Sequence, residues 1–173
     1  DEIGLVSAAN TANGDDDLII PNSFNSGDTF SMVLSSGTTA TFTYAITDSN
    51  DITGGILGAT DADDVFTAND GDTFTITVGG VDNVFTFQSA SPDEDLLEFS
   101  SLNTLANAVN ESDTLIARVS GNRLYIADID GSAVSYTNGS GAAFVTALGF
   151  TGGNVAGWST LNNLATLVDA HSS

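Results

Sequence analysis

The sequence predicts an α+β domain that is mostly β, with antiparallel hairpins forming a twisted sheet and two short amphipathic helices packed on it. Three observations lead there. Thr, Val, Ile and Phe recur in short alternating runs punctuated by Gly, Asn and Asp, which suits pleated, half-buried strands separated by turns. A hairpin-like motif then occurs twice, and a helix-like apolar stripe also occurs twice.

The first hairpin copy runs from Gly27-Asp28-Thr29-Phe30 to Thr41-Phe42-Thr43-Tyr44, turning at Ser35-Ser36-Gly37. The second runs from Gly71-Asp72-Thr73-Phe74 to Val84-Phe85-Thr86-Phe87, turning at Gly79-Gly80. Alternation of period two around a Gly-rich turn predicts strands that pair, and it places Phe74, Ile76 and Val78 on one face. Asp- and Gly-rich loops over 48–70 separate the two copies.

The helical stripe first appears at Phe99–Asn110, with Leu102, Leu105, Ala106 and Val109 at i, i+3, i+4 and i+7. It returns at Trp158–Asp169 with Leu161, Leu164, Ala165 and Val168. The Ser or Thr ahead of each first leucine is a suitable N-cap, and the preceding aromatic can pin the start of the helix. Between the helices, Leu115–Ala127 alternates on both sides of a Gly121-Asn122 turn and predicts a third hairpin, which carries both arginines, Arg118 and Arg123. A strand at Ala133–Thr137 follows, then a crossing segment around Ala147-Leu148-Gly149-Phe150.

Hairpin, helix, hairpin and strand thus make one unit over about 71–138. The expected organisation is a β-rich region with acidic loops over 1–70 and a repeat-containing module over 71–173, as two parts or one continuous domain. In the central unit the helix is followed by a hairpin, whereas the second helix is followed by three residues. The expectation is therefore a chain cut from a longer polypeptide.

Charge narrows the partners. There are 23 acidic residues against two basic ones, a formal net charge of −21. Such a surface repels phosphate backbones and anionic bilayers, so neither nucleic acid nor membrane is an expected partner. It keeps a module hydrated and apart from others in solution. Cysteine is absent, which removes disulfides, thiol nucleophiles and cysteine-based zinc sites. The 41 % hydrophobic content is enough to bury a core, and no run reaches the ~18 apolar residues of a membrane span.

The runs Gly71–Gly80, Phe85-Thr86-Phe87, Phe99–Asn110 and Ile116–Ala127 resemble the variable outer regions of bacterial flagellar hook proteins, and similar units occur in hook-associated proteins and flagellin insertions. The likeness is best over 71–138, reappears at 158–170 and is much weaker over the first 70 residues. The long heptad-bearing terminal helices that build the inner tube of such proteins are missing. The resemblance therefore implies an exposed outer domain: structural, extracellular, part of a flagellum, and in contact with neighbouring copies of the same protein in a helical assembly.

The chemistry-bearing residues support no enzyme, and the expectation is no catalytic residue, no cofactor and no metal ligand. His171, the single histidine, sits near the end, where a catalytic triad would be poorly supported. Carboxylates cluster at Asp15-Asp16-Asp17, Asp61-Asp63-Asp64, Asp70-Asp72 and Asp93-Glu94-Asp95, and solvated loops explain them in so acidic a chain. Calcium is the stronger alternative, since Asp61-Ala62-Asp63-Asp64 and Asn69-Asp70-Gly71-Asp72 offer several oxygens, although neither fits the twelve-residue loop with its closing Glu. A calcium-stabilised surface-layer or adhesin module is the alternative function, and a secreted carbohydrate-active domain, with Trp158 as a sugar platform, is a third. The Gly-rich pieces Thr53-Gly54-Gly55 and Gly139-Ser140-Gly141 lack the lysine of a phosphate loop. Asn110-Glu111-Ser112 and Asn138-Gly139-Ser140 match the formal glycosylation pattern, which carries little weight in a bacterial protein.

Overall fold

A computed structural model describes residues 26–33, 37–150 and 156–171. The acidic run Asp15-Asp16-Asp17 and Ser35-Ser36 of the first turn lie outside these residues. The architecture is α+β and mostly β, as the periodicities predict. Among the described residues the strands form three small sheets.

Strands β1 (Thr29–Val33) and β2 (Thr39–Thr43) form the first hairpin. The short β3 (Thr47–Asp48) joins β8 (Arg123–Asp128), which pairs with β7 (Leu115–Ser120), giving a sheet of order β3-β8-β7. The third sheet has the order β6-β5-β4-β9, from β4 (Thr73–Val78), β5 (Val81–Phe87), β6 (Glu98–Phe99) and β9 (Val134–Asn138). The β5–β6 pair is parallel, a departure from the all-hairpin expectation. The chain reaches it through a 3-10 turn at Glu94–Leu96 and a left-handed Leu97, which reverse its direction.

Helix α1 (Leu102–Asn110) starts where the stripe predicts. The Ser101 hydroxyl accepts from the Thr104 N–H at 3.3 Å, while the Thr104 hydroxyl accepts from the Ser101 N–H at 2.8 Å. This reciprocal cap satisfies two of the orphan donors at the helix start. At the start of α3 (Leu161–His171) the Thr160 hydroxyl accepts from the Asn163 N–H at 3.1 Å, and the Asn163 Oδ1 accepts from the Ser159 N–H at 3.2 Å. A short helix α2 (Phe144–Leu148) overlaps the start of the segment read as a crossing. Its signal is local: Phe144, Val145 and Leu148 share a buried side, and Gly149 at φ 73° ends the helix.

Two cores result. The larger joins Phe74, Ile76, Phe85 and Phe87 of the four-stranded sheet to α1, to α2 and to Leu115, Ala117, Leu124 and Ile126. Ile52, Ala59 and Phe66 of the acidic-loop region lie in this same core, so residues on both sides of position 70 share one interior. The smaller gathers Phe42, Tyr44, Ile46, Trp158 and Leu164, with Ile116, Tyr125 and Ala127 against it. Successive residues of β7 and β8 point to opposite faces, so the three-stranded sheet stands between the cores and serves both.

The paired sequence motifs form two copies of one structural unit. In the first unit Gly71 N–H donates to Phe87 O at 2.9 Å and Phe87 N–H donates to Asp72 O at 2.8 Å. In the second, Gly27 N–H donates to Tyr44 O and Tyr44 N–H donates to Asp28 O, both at 2.8 Å. Phe74 stacks on its cross-strand partner Phe85 at 5.3 Å, and Phe30 stacks on Phe42 at 5.2 Å. The aromatic before each helix then meets its hairpin edge-on: Phe99 against Phe74 at 5.6 Å, Trp158 against Phe30 at 6.0 Å. Even the parallel pairing repeats, as Phe87 with Phe99 and as an isolated bridge of Tyr44 with Trp158. The second unit is assembled from opposite ends of the chain, around the first.

Candidate functional site: acidic loops, arginines and buried polar groups

The acidic loops are built from turns that use their own carboxylates. Asp64 Oδ2 accepts from the Thr60 hydroxyl at 2.7 Å, the Thr60 N–H at 2.8 Å and the Asp61 N–H at 3.1 Å. Asp61 Oδ1 accepts from the Asp63 N–H at 2.9 Å, and Asp63 Oδ1 from the Asn103 amide at 2.6 Å. The bonds from Thr60 hold the Asp64 carboxyl below the usual carboxylate range; the Thr53 hydroxyl does the same for Asp51, and the Ser89 N–H for Asp70. A depressed folded value stabilises the fold above the ordinary carboxylate range, and this contribution is lost as the pH falls through the folded value.

The second proposed oxygen set divides in the same way. Asp70 Oδ1 accepts from the Ser89 N–H at 2.7 Å. Asp72 is buried, and its Oδ2 accepts from the N–H groups of Asn69 and Ala142, both at 3.0 Å, tying two distant loops together. The third cluster is a 3-10 turn whose first N–H, that of Asp93, is held by Glu98 Oε2 at 3.0 Å. Among the described residues no three acidic or histidine side chains converge as a metal ligand set.

The remaining residues singled out from the sequence are dispersed. His171 is exposed at the end of α3, its Nδ1 donating to Leu167 O at 2.8 Å and its ring 5.4 Å from Phe42. Trp158 is buried, so its indole is part of the smaller core and offers no exposed sugar platform. Both asparagines of the formal glycosylation pattern are engaged: Asn110 binds the backbone of Ala117 through Oδ1 and Nδ2, and Asn138 accepts from the Val145 N–H at 2.8 Å.

The arginines behave differently from each other. Arg123 pairs with Asp48 at 2.9 Å beside a polar groove of about 440 Å³ lined by Ile46, Thr47, Ser49, Asn50 and Gly149. Both partners are nearly half exposed, so Arg123→Ala is expected to cost under ~1 kcal/mol, measured by urea melts. The groove's Ser49 hydroxyl accepts from the Leu124 N–H and donates to Asn50 O, which leaves no nucleophile and base in contact there. Arg118 instead stacks over Tyr125, its Cζ 4.3 Å from the ring centroid.

Besides Asp72, two buried polar groups stand out that were not legible in the sequence. The Tyr136 phenol is pushed well above its ordinary value by burial, and it faces the Thr47 hydroxyl outside good hydrogen-bond geometry. Asp128 is buried at the end of β8 and accepts from the Ser132 N–H. Burial raises its carboxyl above the ordinary value, the Ser132 bond opposes this, and the nearby Asp130 charge adds to it. A raised folded value means that ionised Asp128 costs stability: the cost is absent at low pH and grows as the pH rises through that value. Asp128→Asn keeps an acceptor for Ser132, so its melting temperature is expected to exceed the parent's by a few degrees at pH 7. That gap closes below about pH 4. Equal melting temperatures at pH 7 would show that ionised Asp128 is tolerated without cost.

Compared with protein-family models, curated proteins and solved structures, the chain gives no match.

Proposed function

We propose that this chain is an exposed outer domain of a bacterial flagellar hook-type protein, a structural element that touches neighbouring copies of the same protein outside the cell and performs no catalysis. The observation that carries this reading is the repeated hairpin–helix unit. The residues that resemble flagellar outer regions, over 71–138 and again at 158–170, are those that form its strands, aromatic contacts and caps. The outward face of the four-stranded sheet suits such a role: Thr75 and Thr77 of β4 lie beside Thr137 and Ser135 of β9, giving a hydroxyl-rich surface. Wet polar surfaces of this kind make contacts that slide and re-form. The carboxylates of the acidic loops serve the loops themselves, which favours a structural over a catalytic use.

Immunogold labelling of sheared flagella with antibodies against this chain tests the proposal. Label along hooks or filaments is expected, and label confined to the cell body would overturn it. Calcium distinguishes the alternative. At equal ionic strength, millimolar calcium and magnesium are expected to give the same melting temperature. A calcium-specific rise of about 5–10 °C would instead assign the chain to the calcium-stabilised surface modules.

A further inference from the structure

The second unit joins two segments far apart in the chain, 27–46 with the β1–β2 hairpin and 156–171 with α3. They are tied to each other directly. The Ala45 N–H donates to Trp158 O at 2.8 Å, and the Trp158 N–H donates to Thr43 O at 2.9 Å. Trp158 meets Tyr44 edge-on at 4.9 Å, and His171 at the end of α3 meets Phe42 at 5.4 Å. Apart from Ala127, every buried residue of the smaller core belongs to one of these segments, so this core is essentially the two packed on each other.

The larger core draws on neither. Its residues, buried and half-buried, all lie between Ile52 and Phe150. The chain is fastened to that part where it leaves it: Ser49 N–H donates to Leu124 O at 2.7 Å, Asn50 N–H donates to Leu148 O at 2.6 Å, and Phe150 stacks on Tyr136 at 4.7 Å. Among the described residues the two segments are tied to it more lightly. Gly157 N–H donates to Gly131 O at 2.8 Å, the Ser159 hydroxyl donates to Asp128 O at 3.2 Å, and Ile116, Tyr125 and Ala127 of the three-stranded sheet lie against them. Closure differs too. Helix α1 packs on β6, β7 and β8 with Leu102, Leu105 and Val109 fully buried, whereas on α3 Ala165 is exposed and Leu167 and Val168 are half-exposed.

We propose that 27–46 and 156–171 form a two-part clasp over the Ile116, Tyr125 and Ala127 face of the three-stranded sheet, and that it opens and closes as one cooperative unit while the first unit stays folded. Neither part of the clasp holds alone. Displacing 156–171 bares Phe42 and Tyr44, and displacing the hairpin bares Trp158, so loss of either part withdraws the burial that keeps the other in place. Displacing both leaves every residue of the larger core where it was, so this opening costs only part of the free energy of global unfolding. The open form exposes the second face of β7 and β8 with its neighbouring Arg118.

Native-state hydrogen exchange of the whole chain, in urea below the unfolding midpoint, tests the clasp. The amides of Tyr44, Ala45, Trp158 and Leu164, all hydrogen-bonded within it, are expected to exchange through one shared opening with the same urea dependence. They are expected to exchange at least roughly tenfold faster than the amides of Phe87 and Leu105 in the first unit. Phe42→Ala, made in one segment, is expected to speed exchange at Leu164 in the other by the same factor as at Tyr44, at least roughly tenfold, with Phe87 and Leu105 still slower. Trp158 is the only tryptophan, so its fluorescence reports the same step and is expected to change at lower urea than the far-ultraviolet circular dichroism. Exchange of Phe87 and Leu105 together with the four clasp amides, a Phe42→Ala effect confined to 27–46, or coincident fluorescence and dichroism transitions would overturn the proposal.

Discussion

Truncating Phe99 to alanine is expected to destabilise the fold by about 3–5 kcal/mol, while the same truncation of Phe30 costs about 1–2 kcal/mol. Phe99 is fully buried and meets Phe66, Phe74, Phe87 and Phe144 edge-on, with ring centroids 5.0–6.4 Å apart. Its removal leaves a void that four rings cannot fill without leaving their rotamers. Phe30 stacks on Phe42 and meets Trp158 edge-on, but it is only partly buried, so less is lost. For a chain of this length the first change lowers the melting temperature by about 6–20 °C and the second by a few degrees. Equal losses in thermal melts would mean that the two units are equally closed.

Asp72→Ala is expected to cost about 2–4 kcal/mol, and Asp72→Asn much less. The N–H groups of Asn69 and Ala142 both converge on Oδ2, so alanine strands two donors in a buried site, while an amide oxygen at that position still accepts both. Gly141→Ala is expected to be comparably severe for a linked reason. Gly141 sits at φ +80°, where a side chain is strained, and an added Cβ would fall 1.7 Å from Asp72 Oδ1. Because the methyl displaces the same carboxylate that alanine removes, the double variant Asp72→Ala, Gly141→Ala is expected to cost less than the sum of the singles. Strict additivity in urea melts would show that the glycine is there for its backbone conformation alone.

Asp61, Asp63, Asp64, Asp70 and Asp72 read as candidate calcium oxygens because spacing in sequence does not reveal which way a carboxylate turns. Short carboxylate side chains compete for nearby backbone N–H groups, and in these loops such bonds form within a few residues, at Thr60, Asp61, Asp63 and Asn69. The link from Asp72 to Ala142 is of another kind. Nothing local marks Asp72 as a buried residue, and its partner lies on a loop that follows β9.

What the sequence determined by itself is local: strands from alternation, α1 and α3 from their apolar stripes, turns from Gly79-Gly80 and Gly121-Asn122, caps from Ser101 and Thr160. These depend on contacts within a few residues, and their physics is periodic. It also contained both copies of the repeated unit, as the paired Gly-Asp-Thr-Phe and aromatic-Ser-Ser/Thr-Leu motifs. Tertiary structure decided how the copies are assembled. The hairpin at 27–44 closes on the aromatic and helix at 158–171 through the Tyr44–Trp158 bridge, around the whole of the first unit. It also decided that β7 and β8 would serve two cores, with Leu115 and Ala117 facing one and Ile116 and Ala127 the other. Alternation shows that a strand has two faces; which neighbours bury each face depends on contacts between residues far apart in the chain, and no local period records them.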